Sequence, residues 1–118
     1  MAASQIITDV MDQWKAGIDA HDPARVAGVF AEDAVFQGLR PYGVGRDAVA
    51  KYYDSQLTGM TVTYRILESR SPADGVVLGY LSATFSYVDR DSVELAIGVA
   101  LTRIGDRWQV AQYQASRL

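Results

Sequence analysis

The stretch AGIDAHDPARVAGVFAEDAVFQG, residues 16–38, contains the only histidine of the chain and the change from helical to extended sequence. Upstream of it, over residues 4–20, Ile7, Val10, Met11, Trp14 and Ile18 recur at spacings of three and four, which predicts an amphipathic helix. Asp22 followed by Pro23 then restarts the chain. An aspartate at N-cap accepts from free N–H groups, and a proline in the first turn has no N–H to lose. Val26, Val29 and Phe30 give a short second helix its apolar face. His21 and Asp22 are neighbours in sequence, and adjacent side chains at a helix boundary do not face each other. The pair is therefore read as a junction between helices and not as a catalytic dyad.

Beyond Phe30 the pattern becomes extended, with a short strand expected at about Ala34–Gln37 and a loop through LRPYGVG. A third helix is predicted over about Arg46–Leu57, with Val49, Tyr53 and Leu57 on one side and Asp47 near its positive end. The second half is rich in β-branched and aromatic residues. TVTYRILES, GVVLGYLSATFSYV, SVELAIGVALTRI and RWQVAQYQAS read as strands, separated by the turn signals SPADG, DRDS and GD. Short links make neighbouring strands antiparallel. The expected fold is α+β: three N-terminal helices packed on a curved, mostly antiparallel sheet, in one domain spanning residues 1–118.

Composition excludes several function classes. The chain has 14 acidic and 11 basic residues, a net charge of −3 and no basic stripe, so nucleic acid is not an expected partner. It has no cysteine, which rules out disulfides, thiolate catalysis and cysteine metal sites and suits a cytoplasmic location. The first residues carry acidic groups among the apolar ones and do not read as a signal peptide, and no apolar run is long enough for a membrane span. GVG lacks the surroundings of a dinucleotide fingerprint, and no His/Asp/Glu set has metal-ligand spacing. No cofactor is expected.

The pattern W…GIDAHDPARVAGVFAEDAVFQG…GVGRDAVAKYY resembles the nuclear-transport-factor-2-like superfamily, in particular its SnoaL-like and SgcJ/EcaC-like branches. The resemblance implies a cone in which the sheet wraps around the helices and encloses a pocket, and a homodimer formed through the sheet. It places Trp14, Gln37, Tyr53, Phe85, Tyr87, Ala100 and Tyr113 at the pocket, which would suit a small, largely apolar, polyketide-like metabolite. It also admits a non-catalytic association module, as in calcium/calmodulin-dependent kinases, because one fold hosts many functions.

Strand alternation bears on that picture. Val93, Leu95, Ile97, Val99 and Leu101 share one face of their strand; Glu94, Ala96, Gly98, Ala100 and Thr102 share the other. With the small set lining the cone, the bulky set becomes the dimer interface. The alternative is that the bulky set is the core. Catalytic residues are sparse. Ketosteroid isomerase uses an aspartate base, a tyrosine and a protonated aspartic acid, and the matching positions here are Gly38 beside Gln37, Trp14, and about Ala100. Limonene-epoxide-hydrolase-like chemistry needs an Asp–Arg–Asp set, and the DRD of residues 89–91 lies in an expected hairpin turn. Glu94 is the one carboxylate expected on the small face and so the one candidate for a relocated base in an isomerase, cyclase or hydrolase. Arg40 and Arg46 flank the PYGVG loop, where they could meet an anionic group, and are read as solvated.

Overall fold

The computed structural model describes residues 2–118. The elements run α1 (Ala3–Asp19), α2 (Pro23–Ala27), β1 (Phe30–Gln37), β2 (Gly43–Val44), α3 (Arg46–Asp54), β3 (Thr61–Ala73), β4 (Val76–Ser86), β5 (Val93–Ile104) and β6 (Arg107–Arg117). The strands form one sheet in the order β2-β1-β6-β5-β4-β3. Only the β1–β6 pairing is parallel. Helices pack on one face of this curved, unclosed sheet, the expected α+β architecture.

The junction at residues 19–23 explains the lone histidine. His21 has a φ of 48°, the left-handed region. Its N–H donates to the Ile18 carbonyl at 3.0 Å, and the Asp22 N–H donates to Gly17 at 2.9 Å. These two bonds close the C-terminus of α1 with the reversal that glycine usually supplies. Asp22 then caps α2, its carboxylate accepting from the Arg25 N–H at 3.2 Å. Gly17 lets the two helices meet, since a Cβ there would lie 2.7 Å from the Val26 side chain.

Three boundaries differ from expectation. Val29 and Phe30 leave the helix, because the Val110 N–H donates to the Val29 carbonyl at 3.0 Å and Phe30 pairs with Val110. Sheet pairing here overrides local helical pattern. Strand β3 continues through Pro72 to Ala73, which an edge strand tolerates because the missing N–H faces no partner. Helix α3 stops at Asp54, short of Leu57.

The bulky face of β5 is the core face, which corrects the expected dimer interface. Leu95, Ile97, Val99 and Leu101 are buried and Val93 is half-buried. They join one cluster with Ile7, Met11 and Trp14 of α1. Each such side chain is worth roughly 1.5–3 kcal/mol when buried, and a small set beneath α1 would leave voids. Edge strand β3 is tied to α1 by polar bonds. Asp19 accepts from the Val62 N–H at 3.0 Å, and Lys15 donates to the Val62 carbonyl at 2.7 Å.

Two substitutions separate the roles of the junction residues. In denaturant melts, Asp22→Ala should lower stability by about 1 kcal/mol through loss of the cap. His21→Gly should raise it by up to about 1 kcal/mol, because glycine adopts the left-handed backbone without a Cβ penalty. A loss of stability in His21→Gly would show that the imidazole itself holds the junction.

Candidate functional site

The sheet and α3 enclose a cavity of about 650 Å³ at one end of the cone. Its back wall is Tyr53, Phe85 and Tyr113, with Met60, Leu95 and Ala115 beside them. Tyr52, Tyr87 and Val93 form the sides, and Leu39, Arg40, Ser55, Leu57, Arg90 and Arg117 form an exposed rim. The volume lies within the range of small-molecule sites, roughly 300–1,000 Å³. Among the described residues no aspartate, glutamate or histidine lines it. No three of His, Cys, Asp and Glu converge anywhere among them to hold a metal.

Behind the back wall the cone is filled. Trp14 is fully buried and packs edge-on against Phe85 with centroids 6.0 Å apart. Its ring also lies 6.0 Å from that of Tyr113. Phe36 stacks on Tyr113 at 4.8 Å and meets Tyr53 at 5.6 Å. Such aromatic pairs add roughly 0.5–1.5 kcal/mol each beyond the area they bury. The sheet supplies this placement: Phe36 pairs with Tyr113 across the parallel β1–β6 ladder, so both rings face inward together.

Polar groups in the wall form one small network. The Trp14 indole N–H donates to the Tyr53 hydroxyl at 3.0 Å. The Tyr113 phenol is buried beside that of Tyr53. Burial pushes both phenols well above the ordinary tyrosine value, so both stay protonated at neutral pH. Each then carries one O–H. Trp14 fills an acceptor position on Tyr53 and so does not use its proton. Burial also raises Tyr52, whose hydroxyl accepts from the Leu39 N–H at 3.4 Å.

The structure divides the residues expected at the site. Tyr53, Phe85, Tyr87 and Tyr113 line the cavity. Trp14 does not; it supports the wall from behind. Gln37 and Ala100 face away from the helices. Gln37 follows inward-facing Phe36 and lies in line with Gln114, while Ala100 pairs with Leu78 and Gln112 on the outer face. Glu94 is exposed on that same outer face, opposite Thr84, and so is unavailable as a base in the cavity. Ala100 and Glu94 follow from the correction at β5: once the bulky set turns inward, the alternating set turns out; on β1, Gln37 turns out because Phe36 turns in.

Gly38 lies on the cavity wall where ketosteroid isomerase would carry its base, and there is no room for a side chain. A Cβ at Gly38 would collide with the Tyr52 ring. The site positions that residue-by-residue reading missed are Tyr52, Met60, Val93, Leu95, Arg90 and Arg117; Arg40 it had named. Tyr52 carried a signal, since it adjoins Tyr53 on a helix that packs over β1. Met60, Arg40 and Arg90 lie outside regular elements, where alternation and helical period say nothing, and Arg117 is the last residue of β6.

Comparison with known proteins agrees with this geometry. The SnoaL-like domain family matches residues 1–69. No protein of curated function matches. Among solved structures, an NTF-2 like protein of unknown function from Shewanella oneidensis superposes with a TM-score of 0.85 at 12% identity, covering 98% of this chain and 99% of that one. A ketosteroid isomerase-like protein from Erwinia carotovora atroseptica gives 0.78 at 20% identity over 97% and 95%. A domain from Xanthomonas campestris described as a calcium/calmodulin dependent protein kinase II association domain gives 0.81 at 18% identity over 100% and 89%. At these identities the superpositions speak for the fold alone. With the family match spanning more than half of its length, the chain belongs to the SnoaL-like domain family.

Proposed function

We propose that this domain binds a small, largely apolar metabolite in the cavity between α3 and strands β4–β6, and that it does so without acid–base turnover by its own side chains. The observation that carries the reading is the composition of the wall: an aromatic and aliphatic interior with the hydroxyls of Tyr53 and Tyr113 and, among the described residues, no carboxylate or imidazole. Burial holds those two phenols protonated, so neither offers a base near neutral pH. A carbonyl or ether oxygen on the ligand would accept from the Tyr53–Tyr113 pair, and the ring system would lie against Phe85 and Leu95.

A thermal-shift screen of steroids, aromatic ketones and fatty acids tests this. A ligand at a hundred times its Kd adds about 2.7 kcal/mol, enough to raise Tm by roughly 10 °C in a domain of this size. Val93→Trp, which fills the cavity from its side, should remove the shift. No hit in any of the three classes, or a shift that survives Val93→Trp, would overturn the reading.

A second reading, homodimerisation through the sheet, is favoured by the outer face. Val44, Val35, Gln112, Ala100 and Leu78 form one row across the sheet, and Gln114, Gly98 and Tyr80 form the next. Val35, Val44, Leu78 and Tyr80 are exposed around small Gly98 and Ala100. Exposed apolar groups around a flat, small-residue centre suit a second copy of the same sheet. Light scattering at micromolar concentrations should give a dimer, and Tyr80→Glu should give a monomer. A monomeric wild-type chain would contradict this.

A further inference from the structure

The rim of the cavity carries a charge pattern that the chain as a whole does not. Acidic residues outnumber basic ones, 14 to 11. Yet the charged side chains on the cavity lining are Arg40, Arg90 and Arg117, with no carboxylate among the described residues there. Topology brings them together. Arg40 follows the end of β1, Arg117 ends β6, and Arg90 sits in the turn between β4 and β5. Because β1 runs parallel to β6 and β6 antiparallel to β5, these three points lie at one edge of the sheet.

The three arginines differ in how far they are already engaged. Arg90 lies 3.6 Å from the Asp89 carboxylate and 5.8 Å from the centre of the Tyr87 ring. Both members of the ion pair are more than half exposed, so the pair is weak. Arg40 and Arg117 make no side-chain hydrogen bond or ion pair among the described residues. Arg46, by contrast, donates to the Phe30 carbonyl at 2.9 Å and is committed to the fold. Arg40 and Tyr52 both line the cavity. Guanidinium groups match carboxylates with two parallel hydrogen bonds, and a local cluster of cations concentrates anions against the field of an acidic chain.

We propose that the ligand is an amphipathic organic anion, its carboxylate held at the rim by Arg40 and Arg117 with Arg90 beside them, and its apolar body lying against Phe85 and Tyr113. This rests on the reading of the cavity as a ligand site and adds the charge of the ligand and its orientation. The cavity is charged at one end only, so the ligand enters body first.

Calorimetric titration with naphthoate and with naphthalenemethanol tests the proposal, since the two probes share a ring system and differ in the charge of the head. Naphthoate should bind at least about tenfold more tightly at low salt, as expected of hydrogen bonds to a charged group. The advantage should shrink as salt screens the exposed rim. The Arg40→Gln/Arg117→Gln double variant should lose that preference, while Arg25→Gln, on α2 and off the cavity lining, should keep it. Circular dichroism would confirm that the double variant is folded. Equal affinity for the two probes, or a preference that persists in the double variant, would overturn the anion proposal and leave the cavity a neutral-ligand site. Binding of neither probe would count against the ligand-site reading on which it rests.

Discussion

The bond from the Trp14 indole to the Tyr53 hydroxyl joins the two helices that decide the shape of the interior. Trp14 lies on α1, across the middle of the sheet, and Tyr53 lies on α3, over β1. Both groups are buried, so each polar atom depends on the other; an orphaned indole N–H in that position would cost about 1–3 kcal/mol. The bond fixes how far α3 stands from α1. It thereby sets where the filled part of the cone ends and the open part begins. Tyr113 on β6 and Phe36 on β1 complete the partition by packing on the same two rings.

That partition decides which side chains can reach the open part of the cone. A cone open to its base could hold a substrate against α1, and an acid or base on β5 could then reach it. Here the indole occupies the base of the cone, and the β5 side chains that face inward are aliphatic. At the mouth, Tyr52 takes the space that a side chain at position 38 would need. The interior is thus apolar and aromatic with the Tyr53 and Tyr113 hydroxyls in its wall, and the charged side chains of the lining stand at the rim.

The fold was legible because its signals are periodic. The apolar stripe of α1, the Asp22–Pro23 restart and the four alternating strands each impose a repeat that the backbone must honour. The site was legible only in part. Tyr53, Phe85, Tyr87 and Tyr113 sit on regular elements and face the cavity. Ala100 and Glu94 were placed on the wrong face by a single inversion at β5, since alternation tells which residues share a face but not which face is inside, and Gln37 on β1 was placed by the family resemblance. Burial energetics favour the bulky set of β5 as the interior, and the wish for ligand space under the strand pointed the other way. The space exists, but at the end of the sheet. The rim arginines stand in three segments far apart in sequence, and only the strand order brings them to one edge.

The most direct measurement of the central claim is hydrogen exchange at the two tryptophan indoles, followed by proton–nitrogen NMR. Trp14 is fully buried and bonded to Tyr53, whereas Trp108 is half-buried beside Arg103. The account predicts that the Trp14 indole proton exchanges only through global unfolding, at the rate of the slowest core amides, while that of Trp108 exchanges quickly. Rapid exchange at Trp14 in the folded protein would mean that the base of the cone admits water, and would contradict the division into a filled base and an open, arginine-rimmed mouth.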